Sequence, residues 1–277
     1  LPTLPAGGAW PAVAVLDGVI HVIPSNSTAH FALVEGAWVD RSPNPQAAHY
    51  RGAAALEGVL HLVGGGSPGA MDSIADHHVY DPVADSWSTA EPMATPRGYL
   101  VVEAVGGDLF AMSGPHVSEQ ELHILSEAWD PVSDSWSRKA DLPDRWMLYS
   151  ANAASDGGLY RLLGGISGAA DARAWHYSHA SDSWTQLATA PRATHGAAGA
   201  VLDGKVLAMG GYRDGLYLTE VQVYDPQSDS WSEGPELPRK IAYSSGASLD
   251  GCAFVIGGHD SVDEAGAAIA VMRLCEL

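Results

Sequence analysis

Positive charge is what this chain has least of: three lysines and eleven arginines stand against 33 carboxylates, for a formal charge of −19 over 277 residues. No cationic run is longer than Arg138-Lys139 or Arg239-Lys240. Phosphate neutralisation needs clustered cations, so nucleic acid is excluded as a partner. Cysteine is almost as scarce, with Cys252 and Cys275 the two copies and no Cys-x-x-Cys pair to suggest a structural metal. No stretch approaches the roughly 18 consecutive apolar residues that cross a bilayer, and the chain reads as soluble, without membrane association, in the cytoplasm. It opens at Leu1 with neither an initiator Met nor a basic, apolar leader, which suits a mature protein or a domain of something longer.

What is present is a repeat. Trp38, Trp87, Trp136, Trp184 and Trp231 follow one another at 49, 49, 48 and 47 residues, each seven residues after an aromatic: Phe31, Tyr80, Trp129, Tyr177 and Tyr224. Three copies share one phrase, Tyr80-Asp81-Pro82…Asp85-Ser86-Trp87, Trp129-Asp130-Pro131…Asp134-Ser135-Trp136 and Tyr224-Asp225-Pro226…Asp229-Ser230-Trp231. Upstream lies a diglycine closing a short apolar run, at Gly64-Gly65, Gly164-Gly165, Gly210-Gly211 and Gly257-Gly258, with Ser113-Gly114 and Pro24-Ser25 in the same place in two other units. A period of about 40 to 50 residues built from short strands is the length of one propeller blade. Six units result, near residues 4–42, 43–91, 92–141, 142–189, 190–236 and 237–277, forming one domain.

Diglycine, aromatic and tryptophan in that order resemble the kelch repeat across the whole chain. The resemblance implies an all-β, six-bladed propeller with four antiparallel strands per blade. The fifth unit shows the strands best: Ala197 to Val201, Val206 to Met209, Leu218 to Tyr224 and Asp229 to Ser232. Small residues in first strands, as in Gly52-Ala53-Ala54-Ala55, fit an innermost strand crowded against its neighbours. Asp17-Gly18, Glu57-Gly58, Gly157-Gly158, Asp203-Gly204 and Asp250-Gly251 supply the positive φ of the first hairpin. The tryptophans seal the gaps between blades. Asp81, Asp85, Asp130, Asp134, Asp225 and Asp229 read as solvated turn residues accepting local backbone hydrogen bonds.

The sixth unit has no tryptophan; because a sheet edge must be hidden, either Leu1 to Pro5 supplies part of its outer strand, which is the expectation, or the blade keeps three strands. Cys252 and Cys275 fall on neighbouring antiparallel strands. A disulfide between them is open, but two free, partly buried thiols are the expectation.

Kelch relatives recognise ligands just before the innermost strand and just after the diglycine, at one mouth of the central channel. Carried over, the first group implies Trp10, His49, Tyr50, Arg51, Arg97, Tyr99, Tyr149, Ser150, His195 and Tyr243. The second implies Asn26, Ser67, His116, Tyr212, Arg213, Asp214, His259 and Asp260. Such a rim suits a peptide carrying a carboxylate, or a sugar or flat small molecule. The rival for each Arg is a brace between blades through backbone carbonyls.

Twelve histidines invite a metal, and His49, His116, His195 and His259 are the set that could converge. The other spacings do not support one: His21 and His61 are repeat equivalents, and His77-His78 point to opposite faces of a strand. No metal or cofactor is expected; the kelch enzyme galactose oxidase uses a tyrosine joined to a cysteine, and the plant specifier proteins' Glu-x-x-x-Asp-x-x-x-His stretch is absent.

The expected function is binding of a protein segment or peptide by a monomeric domain, with substrate selection for a ubiquitin ligase as one form. The alternative is an enzyme acting on a sugar or small metabolite. Sialic acid mutarotases share the fold and need a placed base, for which Glu119, Glu121, Asp171, Asp260, Asp263 and Glu264 are candidates.

Overall fold

The computed structural model describes residues 1–6, 8–66, 73–114, 124–143, 149–155, 157–166, 169–260 and 271–277. Its regular structure is antiparallel β throughout, with strands paired in chain order. The first sheet is Ala12–Leu16, Val19–Ile23, Phe31–Val34 and Ala37–Asp40. The second is Gly52–Leu56, Val59–Val63, His77–Asp81 and Ser86–Thr89, and the third Val101–Val105, Asp108–Met112, Ser126–Asp130 and Ser135–Arg138. Ala151–Ser155, Gly158–Ile166, Ala169–Ser178 and Ser183–Gln186 make the fourth. Ala198–Leu202, Lys205–Met209, Val221–Asp225 and Ser230–Glu233 make the fifth. The sixth has Ser245–Leu249, Cys252–Ile256 and Val271–Leu274. Among the described residues no helix is long and apolar enough to cross a membrane.

Two compact units divide these sheets. Residues 11–145 with 179–182 hold sheets one to three, and residues 1–10, 146–178 and 183–277 hold sheets four to six.

The turns explain the hairpins. Asp17-Gly18, Glu57-Gly58, Asp203-Gly204 and Asp250-Gly251 all have positive φ at both residues, the geometry whose twist matches the flanking strands. Gly106-Gly107 does the same in the third sheet. In the fourth sheet the left-handed residue is Gly157, while Gly158 already opens the strand, one position earlier than the sequence suggests. A bulge between Leu162 and Gly164 likewise moves the left-handed pair there to Leu163-Gly164, not Gly164-Gly165.

Within each unit, neighbouring sheets pack face to face along apolar seams. Leu207, Met209 and Val223 of the fifth sheet meet Val255 and Met272 of the sixth; Leu60, Leu62 and Tyr80 of the second meet Ala12, Ala14 and Ile23 of the first. First strands are small because their backbones nearly touch. A Cβ on Gly246 would lie 1.8 Å from the Gly199 carbonyl oxygen.

The tryptophans do more than fill seams. Tyr80 and Trp87, Trp129 and Trp136, Tyr177 and Trp184, and Tyr224 and Trp231 face each other across the third and fourth strands. The first sheet differs: Trp38 faces Leu33, and Phe31 faces Asp40, because a two-residue turn with positive φ at Glu35 and Gly36 replaces the longer Asp-Pro turn.

Three of the indoles also reach back to the preceding sheet. Trp87 Nε1 donates to the Ser42 carbonyl while Ser42 N–H donates to Asp85. Trp136 and Asp134 hold Glu91 in the same way, and Trp231 and Asp229 hold Ala188. Asp85, Asp134 and Asp229 are therefore clasps between sheets, a correction to the turn reading; Asp81, Asp130 and Asp225 do accept the local turn N–H groups of Val83, Val132 and Gln227.

Two expectations about the sixth sheet are corrected. Leu1 to Pro5 form no strand; Leu4 is instead buried, and the sheet has three strands among the described residues. Cys252 and Cys275 are bonded, with Cα atoms 4.1 Å apart, not free thiols. They stand one step beyond the Ala253–Leu274 pair, so the strand register itself brings them together. The bond closes a loop of 23 residues. Reduction is expected to lower the free energy of unfolding by about 3 kcal/mol through the loop entropy it releases. Denaturation with and without dithiothreitol measures this, and a midpoint indifferent to reduction would contradict it.

Candidate functional site

The residue just before each innermost strand has an unusual backbone. Trp10, Tyr50, Tyr99, Tyr149 and Tyr243 all have φ between 50° and 59°, and the sixth equivalent is Gly196 at 69°. The left-handed region costs an L-residue roughly 1–2 kcal/mol, and a bulky side chain there is an outlier. Hydrogen bonds hold these residues in place.

In the unit with sheets four to six, Gly196 N–H donates to the Tyr149 carbonyl at 2.7 Å, Tyr243 N–H to Gly196 at 2.7 Å and Trp10 N–H to Tyr243 at 2.8 Å. The left-handed turn throws the rings together. Trp10 lies 4.8 Å from Tyr243 and 5.7 Å from Tyr149 by ring centroids, and His259 stands edge-on to both Trp10 and Tyr243. His195 lies 5.4 Å from Tyr212, 5.7 Å from Tyr243 and 6.3 Å from Tyr149. Tyr212 reaches this crown because it starts a small hairpin, Tyr212–Arg213 against Leu216–Tyr217, that sequence reasoning missed. Tyr217, its cross-strand partner, adds an edge-on ring that the repeat pattern did not flag.

Gly196 is glycine for two reasons. Its φ is positive, and a Cβ would fall 2.6 Å from Tyr243 Cδ1. Burial and the neighbouring tyrosines push the Tyr243 phenol up to about 12, burial being the larger cause, so it stays a hydrogen-bond donor. Burial lowers the His195 imidazole below its usual value, leaving it neutral. The cations near this crown are engaged: Arg213 donates to both oxygens of Glu220 at 2.9 and 2.5 Å, and Arg239 pairs with Asp260.

In the other unit Tyr50 and Tyr99 stack, centroids 3.5 Å apart, and Tyr99 N–H donates to Tyr50. His49 lies beside Tyr50 with Nδ1 3.4 Å from Ser25 Oγ. Arg51 and Arg97 point inward. Arg51 donates to the Gln46 carbonyl, and its burial lowers its pKa to about 10. Arg97, 0% exposed, donates to the carbonyls of Ser113, Leu125 and Ala111 and to Glu127 at 2.7 Å. The brace considered for the arginines is what the structure shows at Arg97.

Ser67 and His116 lie outside the described residues, as do Glu119, Glu121, Asp263 and Glu264. Ser150 donates to Asn152, and Asn26 and Asp214 occupy left-handed turn positions. Asp171 pairs with Arg173. Among the described residues no three metal-binding side chains converge; His195 and His259 share only the ring of Tyr243.

Residues 193–238, the fifth unit, match the Kelch motif family. A solved structure titled "Structure of YjhT" is similar with a TM-score of 0.82, at 16% identity, over 98% of this chain and 95% of that one. The chain shares the fold of that structure, six antiparallel sheets in chain order, and carries a Kelch motif in its fifth unit. The kelch match spans His195, Gly196 and Tyr212, so the family pattern includes part of the crown. Kelch propellers commonly serve in protein interaction.

Proposed function

We propose that residues 1–277 form a recognition domain that holds its ligand on the crown of Trp10, Tyr149, His195, Tyr212, Tyr243 and His259. One observation carries the reading: five of six equivalent positions hold an aromatic in a strained left-handed backbone. Glycine would relieve that strain, and does so at Gly196, so the rings answer to something other than the fold. Strain of this kind gathers at binding sites.

A carboxylate-bearing peptide finds little support, since Arg97 is sealed inside the third sheet and Arg213 is held by Glu220. Acid–base catalysis finds little either: Asp171 and Asp260 are each held by an arginine. The Cys252–Cys275 bond fits an oxidising compartment, in place of the cytoplasm.

Trp10→Gly and Tyr149→Gly are expected to change the unfolding free energy by less than about 1 kcal/mol, strain relief offsetting lost ring contacts. A loss above about 3 kcal/mol, the cost of truncating a core aromatic, would make the rings structural. Binders selected on the wild-type chain from a displayed peptide library or a glycan array should be lost in Trp10→Ala/Tyr243→Ala. Full retention there would refute the site.

A further inference from the structure

Among the described residues, His78 and His195 are the buried histidines with no hydrogen bond to either ring nitrogen; Asp76 stands 3.9 Å from His78, whereas His195 lies among the rings of the crown. His21 Nδ1 lies 2.9 Å from His30 Nε2, and His61 Nδ1 lies 2.8 Å from His77 Nε2, so each of those rings has at least one hydrogen bond. His195 is 4% exposed, and neither of its ring nitrogens has a hydrogen-bond partner. The position is not slack: His195 N–H donates to the Tyr212 carbonyl and Tyr212 N–H donates back to His195, pinning the backbone beneath the crown. Thr194 Oγ1 and Ser244 Oγ, next in sequence to His195 and Tyr243, are also buried without a partner.

A neutral imidazole has one donor and one acceptor. A buried polar group left unmatched is costly, so the complement belongs to whatever occupies the site. A hydroxyl both donates and accepts, so any hydroxyl on a sugar edge can meet either nitrogen, whereas in a peptide the two roles are divided between separate N–H and C=O groups. The rings around His195 ask for a flat apolar face. The charge asks for neutrality: Arg213 and Arg239 are paired, and the chain's −19 repels anions.

We infer that the crown takes a neutral carbohydrate, one sugar ring stacked on Trp10, Tyr149 and Tyr243 with its edge hydroxyls on His195. This rests on the crown being the recognition site and adds the class of ligand.

The test is calorimetric titration of the full chain with cellotetraose, maltotetraose and triacetylchitotriose, with trigalacturonic acid as the anionic control and a decaproline peptide as the other class of ligand. One neutral oligosaccharide should bind and trigalacturonic acid should not. Trp10→Ala should weaken binding roughly tenfold or more. His195→Phe keeps the ring and removes its nitrogens, and should also weaken binding roughly tenfold; near-ultraviolet circular dichroism checks that both variants fold. No binding by any neutral probe at about 10 mM, a limit of weak affinity, overturns the inference, as does full affinity in His195→Phe. Decaproline binding that is lost in Trp10→Ala, with no sugar bound, overturns the carbohydrate class while leaving the recognition site standing. Sugar binding untouched by both substitutions overturns the two together.

Discussion

Lowering the pH from 7 to 4 is expected to remove about 6 kcal/mol of stability through two buried histidine pairs, His21–His30 and His61–His77. Each pair sits under the next sheet's aromatics: His30 is edge-on to Tyr80 at 4.5 Å, and His77 to Trp129 at 4.9 Å. Burial is the largest cause that lowers all four to about 4 from the ordinary 6.5. Because the folded values lie below the unfolded one, the unfolded chain takes up protons first. The stabilisation is whole above pH 6.5 and is lost as the pH falls towards 4, by about 3 kcal/mol for one proton per pair.

Glu103 works the other way. Desolvation pushes its carboxyl up to about 7, so its protonation favours the fold between pH 7 and 4.5 and partly offsets the histidines. Urea denaturation across pH 8 to 4 measures the sum. His30→Gln/His77→Gln should flatten the profile between 6.5 and 4, and an unchanged slope in that variant would reject the assignment. The loss approaches the whole stability of an ordinary domain.

Truncating Glu127 to alanine is expected to cost about 3–5 kcal/mol. Among the described residues the carboxylate is the one charged partner of the Arg97 guanidinium, which has no exposed surface. Burial is the main cause acting on both members: it lowers Arg97 and raises Glu127, against the attraction between them. Removing the carboxylate leaves a buried charge facing only carbonyls and the Met93 sulfur. Replacing both, as Arg97→Met/Glu127→Leu, should cost far less, because the desolvation of two charges disappears with them. Chemical denaturation of the single and double variants closes the cycle, and a double variant as damaged as Glu127→Ala would show that the pair itself holds the sheet. The fifth unit has solved the same problem without a buried charge. Gln222 stands where Glu127 does in the repeat, accepts from Arg192 N–H and donates to its carbonyl, and Arg192 turns outward to Glu220 and Glu233.

Much of this architecture was legible in the residues. Trp87, Trp136 and Trp231 mark their sheets because an indole bridging two sheets has few substitutes, and Asp-Gly turns announce hairpins through a backbone demand that other residues meet poorly. The errors share one origin. Trp38 lost its expected partner Phe31 to a shorter turn, Leu163 displaced a diglycine by one bulged residue, and Asp134 clasps a backbone 43 residues away. Each depends on a register or a neighbour that a linear pattern does not contain. The same holds for Tyr217, carried to the crown by a two-strand hairpin too short to leave a periodic trace.

By itself the sequence determined the repeat, the number of sheets, the strand order within each and the stations before the innermost strands where aromatics gather, because these follow from local periods of two residues and a long period near 48. The tertiary structure decided which of those side chains face one another. It turned Arg97 inward, set Tyr243 among the rings of Trp10, His195 and Tyr212, bonded Cys252 to Cys275, and left His195 with two unmatched nitrogens. Burial, charge pairing and hydrogen-bond satisfaction are properties of neighbours in space, and those neighbours stand well apart in the sequence, 30 residues for Arg97 and Glu127 and 23 for the two cysteines.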